Sequence, residues 1–239
     1  MRCHTRSIAA ILLALPLCAQ PPGGAPPLSA KTAAPVDLTG YWVSIVTEDW
    51  RYRMVMPAAG DYQGVPMTAA ALKVAREWDP AKEGDPCKAY GAPAVLRVPE
   101  RLHITWQDDQ TVRMDTDAGK QTRIFHFGDW KAPAGPHTLQ GDSTAQWELQ
   151  RGTPRNGSLK VSTANLKAGY LRKNGVPYSE NATLTEYFDL VKEPSGSMLM
   201  VATIVVTDPL YLREPFIISS QFRKQTSDAG WKPAECSEE

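Results

Sequence analysis

The sequence lacks a surplus of charge and a membrane-length apolar run. Lys and Arg total 26 and Asp and Glu total 26 in 239 residues, so the formal net charge is zero. A balanced chain lacks the surplus of positive charge that is typical of nucleic-acid-binding proteins, so we expect no nucleic-acid partner. The apolar run Ile8–Leu17 is shorter than the roughly 20 residues that cross a bilayer, so we expect no membrane span.

Cofactor motifs are also missing. The chain has no phosphate-binding glycine loop, no dinucleotide fingerprint and no haem-attachment motif. His103, His126 and His137 lack the spacing of a metal-ligand set. We therefore predict no cofactor and no metal site, which leaves binding or cofactor-free chemistry. His126 is retained as an acid or base candidate because histidine titrates near neutral pH.

The amino terminus has the pattern of an export signal. Arg2 and Arg6 precede the apolar run, and the small residue Ala19 follows it. This pattern predicts a cleaved signal peptide over residues 1–19 and a periplasmic or secreted protein. Residues 20–36 are rich in Pro and Ala and predict a linker, so we expect one folded domain over residues 37–239.

Two of the four cysteines, Cys87 and Cys236, lie outside the predicted signal peptide. Two cysteines in an oxidising compartment most simply form one disulfide. A reactive thiol or a metal pair is the alternative. Neither cysteine has a C-x-x-C partner or a nearby His, and this favours the disulfide.

Short β-type runs separated by turn signals dominate the body of the chain. Strands are predicted at 40–48 with an extension to Met56, 94–98, 101–107, 110–116, 121–127, 145–150, 158–164, 182–190, 197–207 and 214–224. One helix is predicted, with Thr68 as its cap and Asp79-Pro80 as its end. Asn156-Gly157 predicts a two-residue hairpin. The pattern favours an all-β fold, a single antiparallel β-barrel with one short helix, over a two-sheet sandwich.

Gly40-Tyr41-Trp42 is a G-x-W motif at the start of the first predicted strand. It resembles the corresponding motif of lipocalin-like barrels. The resemblance implies that Trp42 closes the barrel floor and that an arginine of the last strand packs over it. Arg223 is the residue in that place, and its guanidinium would stack on the indole.

A wider resemblance covers most of the chain after the linker. The chain is similar to a group of exported bacterial β-barrel proteins. The matching stretches are Cys87–Pro93, Gly141–Glu148, Thr185-Glu186, Asp208-Pro209, Tyr211, Pro215 and Cys236. Asp142 and Ala145 depart from the His and Gly that the group commonly has. The resemblance implies the fold, the export and the disulfide, and it implies no substrate.

Alternate residues of a strand share a face, and this places the candidate site. With Trp42 inward, a regular strand also turns these residues inward: Glu48, Trp50 and Tyr52. The intervening residues are then predicted to face solvent: Asp49, Arg51 and Arg53.

Two later strands carry charge on an apolar face. Glu186 alternates with Phe188, and Arg123 alternates with Phe125. A carboxylate among apolar residues must pair, shift its pKa upward or meet water. We hypothesise that Glu48, Glu186 and Arg123 project into one cavity, where one acid stays available. The alternative is a purely structural ion pair.

These residues support three functions. The first is binding of a small apolar or aromatic molecule inside the barrel, with Trp50, Tyr62, Phe125 and Phe188 as the ligand-binding wall. The second is a cofactor-independent lyase, isomerase or hydratase. Its general base is Glu48 or Glu186, and Arg123 or Tyr52 stabilises negative charge. The third is a structural protein with a filled interior. The ligand and the oligomeric state are not determined.

Overall fold

The computed structural model describes residues 28–150 and 156–237. The predicted signal peptide, residues 1–19, lies outside them. The strands are β1 Gly40–Ile45, β2 Arg101–Asp108, β3 Thr111–Thr116, β4 Thr122–Phe127, β5 Asp142–Leu149, β6 Gly157–Ala164, β7 Gly169–Arg172, β8 Val176–Tyr178, β9 Thr183–Lys192, β10 Met198–Thr207 and β11 Phe216–Lys224. The helices are α1 Ala69–Glu77, α2 Pro80–Glu83 and α3 Ala92–Val95, with 3₁₀ turns at Trp50–Tyr52 and Pro86–Tyr90.

Nine of these strands form a closed barrel in the order β1-β11-β10-β9-β6-β5-β4-β3-β2, and β7 and β8 form a separate hairpin. The predicted all-β barrel is confirmed. One pair, β4 with β5, is parallel, and the other neighbours are antiparallel. Directions cannot alternate around a ring with an odd number of strands. The nine-stranded barrel therefore needs a parallel pair, and the predicted antiparallel pairing holds for its other neighbours.

Side chains fill the barrel interior. The inward positions of β10 alternate with outward ones: Met200, Ala202, Ile204 and Val206 are buried. Trp42, Phe125, Phe188 and Phe222 each have 0% exposure. A void that admits a water molecule would give its lining side chains accessible surface. These residues have none, so they form a packed core. Burial stabilises the fold by roughly 2–3 kcal/mol for each large apolar side chain.

The first strand is shorter than predicted. β1 ends at Ile45 instead of running to Met56, and Asp49, four residues later, has φ 53°, a left-handed conformation that an extended strand rarely adopts. The strand predicted at 94–98 is also wrong, because α3 begins at Ala92 and its second residue is Pro93, a residue favoured in a first helical turn. The hairpin β7–β8 was not predicted.

Asn156-Gly157 does not form a two-residue hairpin. Gly157 pairs with Leu149 as the first residue of β6, so the connection spans residues 150–156.

The predicted helix is confirmed: the hydroxyl oxygen of Thr68 accepts a hydrogen bond of 3.2 Å from Ala71 N, and α1 ends before Asp79-Pro80. Pro80 then starts α2, because proline is favoured in a first helical turn.

The end of the predicted linker packs on the barrel. Ala30 is buried, and its carbonyl accepts a hydrogen bond of 2.8 Å from the indole of Trp147. Its amide donates to the side chain of Gln110 at 3.2 Å. Ordered packing therefore begins before the predicted domain boundary at residue 37.

Trp42 is fully buried, and Lys224 covers it instead of Arg223. The Lys224 ammonium lies 5.3 Å from the indole centroid, and Trp42 and Lys224 are paired across β1 and β11. Paired residues share a face of the sheet, so Arg223, the neighbour of Lys224 in β11, faces the other way. Its guanidinium lies 3.6 Å from Glu193 at the surface. The expectation for Arg223 is thus corrected.

One end of the barrel is covered by the β1–β2 connection, residues 46–100, and by the β7–β8 hairpin. Helix α1 contacts β8, and the 3₁₀ turn Pro86–Tyr90 contacts β7. Cys87 and Cys236 form a disulfide with a Cα separation of 5.1 Å, which ties the carboxyl-terminal segment to this cover. In the ranges that the structure describes, no helix is long and apolar enough to cross a membrane.

Candidate functional site

Arg123 and Glu186 meet in the barrel interior. The two nitrogens Nη1 and Nη2 of Arg123 donate to the two carboxylate oxygens of Glu186, each at 2.6 Å. Both side chains have 0% exposure, and Arg123 Nη2 also donates to Thr163 Oγ1 at 3.3 Å. Both oxygens of Glu186 are engaged by its partner. This geometry is that of a structural ion pair that crosses the core.

Glu48 does not join this pair. Its Oε1 accepts a hydrogen bond of 2.5 Å from the side-chain amide of Gln221, and its Oε2 accepts one of 2.9 Å from Thr47. The alternation that placed Glu48 inward ends with β1 at Ile45. For the same reason the side chain of Trp50 faces outward, with 62% exposure.

The predicted ligand-binding wall is not assembled. Phe125 and Phe188 contact each other in the filled core, with ring centroids 6.0 Å apart. Tyr62 donates its hydroxyl to the carbonyl of Ala75 at 2.8 Å and so fixes the loop before α1. His126 stacks on Trp130 at 3.9 Å, and burial lowers its pKa.

A cavity of about 400 Å³ lies at the covered end of the barrel. Four cations line it: Arg53, Arg97, Arg172 and Lys173. The rings of Tyr52 and Tyr90 and the apolar segment 54–57 complete most of the wall. None of the lining residues that the structure describes is an aspartate or a glutamate.

Three separate segments bring the arginines together. Arg53 directly follows the 3₁₀ turn that begins after the left-handed Asp49, Arg97 follows α3, and Arg172 ends β7. Asp49 is their shared acid: its Oδ2 lies 2.7 Å from Arg97 and 3.8 Å from Arg172. The three guanidinium groups are at most 8% exposed. One partly buried carboxylate therefore faces two of three buried cations.

The hydrogen bonds of Arg53 and Arg172 leave donors unused. Arg53 donates to the carbonyl of Arg97 at 2.8 Å and to Ser44 Oγ at 3.0 Å. Within the described chain, Nη1 of Arg53 and Nε of Arg172 have no hydrogen-bond partner. Burial lowers the pKa of both arginines, and the charge of Arg97 lowers it further. Both stay charged, because a guanidinium ordinarily titrates above about pH 12.

Arg172 and Tyr52 separate this cavity from a second one of about 550 Å³. The guanidinium carbon of Arg172 lies 4.0 Å from the centroid of the Tyr52 ring, a stacked cation–π contact. The Tyr52 hydroxyl donates to Asp61 at 3.2 Å, which holds the ring in place. The second cavity is lined by acids as well, Glu48 and Asp49 among them.

Glu100 is buried next to this site, at the start of β2. It is 4% exposed, and neither carboxylate oxygen has a hydrogen-bond partner among the described residues. Burial raises its pKa well above the ordinary value, and the nearby Asp117 raises it further. The charges of Arg53 and Arg123 oppose this shift without cancelling it.

Most of the cationic site was missed from the sequence. Arg53 was predicted to face solvent, and it is 8% exposed. That prediction failed because it continued a strand through Asp49, where the chain turns. The alternation of ring and guanidinium in Trp50-Arg51-Tyr52-Arg53 was the available signal, since arginine stacks on aromatic rings. Tyr52 is the predicted site residue that lines the cationic cavity.

Among the described residues, no group of three or more His, Cys, Asp or Glu side chains is placed to hold a metal ion. Comparison with known proteins gave no match: no protein-family model, no curated protein and no solved structure is similar to this chain.

Proposed function

We propose that the protein binds a small organic anion with an apolar or aromatic body in the cavity at the covered end of the barrel. One observation carries this proposal: four cations line the cavity, and no carboxylate stands among the described lining residues. A bound anion would add counter-charge to the three buried arginines, of which Arg97 and Arg172 share Asp49.

The apolar part of the ligand is inferred from the segment that rims the cavity. Met54, Val55 and Met56 line it and are nevertheless exposed, at 60%, 64% and 48%. Three consecutive exposed apolar side chains beside a cavity favour an apolar occupant. Methionine adapts its shape to different ligands, so this rim suits a small aromatic body.

The site proposed here lies at the mouth of the barrel, not in its interior. The interior side chains of Trp42, Phe125, Phe188 and Phe222 have 0% exposure, whereas the mouth has a cavity of about 400 Å³. The enzymatic alternative remains a prediction. Its support is weaker here, because Glu186 is held by Arg123 and Glu48 lies outside the cationic cavity.

The disulfide is typical of a compartment outside the cytoplasm. Together with the export pattern of residues 1–19, it supports the proposal that the protein works in the periplasm or after secretion. The lipocalin-like motif at Trp42 adds the expectation of a small-molecule carrier or sensor.

The test is calorimetric titration with 1-naphthoate, an aromatic carboxylate, against the neutral and isosteric 1-naphthamide. We expect 1-naphthoate to bind at least about tenfold more tightly, since one charge-assisted hydrogen bond is worth about 1.5 kcal/mol or more. Arg172→Gln is expected to lose a similar factor. Arg113→Gln, which removes an exposed arginine paired with Asp115 on β3, is the matched control and should bind normally. Equal affinity for acid and amide, or no binding of either, would refute the proposal.

A further inference from the structure

Glu100 lies directly behind the wall of the cationic cavity. The two residues before it, Val98 and Pro99, line the cavity, and its own carbonyl accepts a hydrogen bond of 2.9 Å from Ser44 N. Glu100 itself is not among the residues that line the cavity, and both its carboxylate oxygens are shielded from solvent. A bound ligand would therefore not touch Glu100.

Three charged groups act on Glu100 from three parts of the fold: Asp117 after β3, Arg123 on β4 and Arg53 after the 3₁₀ turn. Asp117 accepts a hydrogen bond of 2.7 Å from Arg101 N. Arg123 is committed to Glu186 on β9. Arg53 alone of the three also lines the cavity.

Arg53 is acted on by the charges of Glu48, Asp49 and Glu100, and a bound anion would add a fourth negative charge. Its Nη1 has no hydrogen-bond partner in the described ranges, and neither has the carboxyl group of Glu100. An ionised Glu100 would compete with a bound anion for the charge of Arg53 and would repel that anion. A protonated Glu100 does neither.

We propose that Glu100 is a proton-binding site coupled to the cavity through Arg53, so that binding an organic anion draws a proton onto Glu100. This inference rests on the proposed function. Because coupling between two sites is reciprocal, the affinity for the anion falls as Glu100 loses its proton with rising pH. One coupled proton limits this fall to about tenfold per pH unit.

The experiment is titration of the full folded chain with 1-naphthoate between about pH 5 and about pH 9, where this carboxylate stays ionised. Where the buffering ranges of Tris and bis-Tris overlap, the titration is run in both of these cationic buffers, which do not compete for an anion site. Their ionisation enthalpies differ, so the difference in heat measures the protons taken up. We expect uptake of up to one proton in the wild-type protein and an affinity that falls with pH.

Glu100→Gln keeps the shape of the side chain and cannot take up the proton. We expect it to bind 1-naphthoate with no uptake and with an affinity that does not change with pH. Glu100→Asp should restore the uptake. Glu193→Gln, at a surface acid paired with Arg223, is the matched control and should behave as the wild type.

The outcomes separate the two proposals. Binding without proton uptake in the wild type, or uptake that persists in Glu100→Gln, overturns the coupling and leaves the anion site standing. No binding of 1-naphthoate by the wild type at any pH overturns the anion site, and the coupling with it.

Discussion

Buried arginines are paired with acids differently in the barrel interior and at its covered end. In the interior, Arg123 donates two hydrogen bonds of 2.6 Å to Glu186, so each buried charge has its own partner. At the covered end, Arg53, Arg97 and Arg172 are almost as deeply buried, but Asp49 serves two of them.

The difference lies in how many acids stand beside the buried arginines. A matched buried pair adds little net stability compared with apolar residues, yet each partner needs the other. A buried surplus of one sign instead leaves a need for counter-charge, and it faces a cavity where a ligand can supply it. Burial of charge alone would not have separated the two cases.

The largest expected effect comes from breaking the interior pair. Glu186→Leu leaves Arg123 as an uncompensated buried cation, and we expect the free energy of unfolding to fall by about 4 kcal/mol. Urea denaturation followed by circular dichroism measures this loss.

Glu193→Gln is the control for removing an acid without burying a charge, and its effect should stay within about 0.5 kcal/mol. The double variant Arg123→Met/Glu186→Leu removes both charges and should recover most of the loss. A double variant no more stable than Glu186→Leu would contradict the interpretation of a matched pair.

A smaller effect, dependent on pH, is expected at Glu100, which lies between the two regions. Its pKa in the folded chain is raised well above the ordinary 4.5, so between the two values the native state binds more protons than the unfolded state. Stability from this group is therefore complete below the unfolded pKa and is lost as pH rises towards the folded pKa. The slope is at most about 1.4 kcal/mol per pH unit.

Glu100→Gln lacks this loss, so we expect it to be more stable than the wild type at neutral pH and equally stable near pH 4. Thermal unfolding over a series of pH values tests the expectation. Parallel profiles for the two proteins would show that Glu100 does not carry a raised pKa.

The smallest effect on stability is expected where Lys224 lies over Trp42. Lys224→Met removes the ammonium above Trp42 and should cost about 0.5 kcal/mol, the size of an exposed cation–π contact. Arg223→Met, one residue earlier, should change stability less and leave the fluorescence of Trp42 unaltered. A larger effect at Arg223 would restore the original expectation from the lipocalin-like motif.

Much of the fold was predictable from the sequence because local patterns agree with it. The strands from β2 to β4 were placed within one or two residues by apolar alternation and acidic turns, and Thr68 marked the start of α1. Prediction failed where a turn had no local marker. β1 ends at Ile45 and Asp49 then takes a left-handed conformation, so the alternation predicted for residues 46–56 does not apply.

The candidate site was predictable in part. The alternation that put Arg123 and Glu186 on apolar faces indicated that they are buried, but two positions 63 residues apart can be joined only by the closure of the sheet. Glu100 was missed because Pro99-Glu100 looks like a turn between two strands, and turns are ordinarily exposed.

The sequence by itself determined the β-rich pattern and the pair of cysteines available for a bridge, and it led to the expectation of an export signal. These features are local or compositional, so they can be predicted from the sequence alone. Only the tertiary structure decided that the barrel is filled, that Arg53, Arg97 and Arg172 lie around one cavity and that Glu100 is buried next to it. Contacts between distant segments depend on how a closed sheet brings its loops to one end, and no local pattern in the chain encodes that distance.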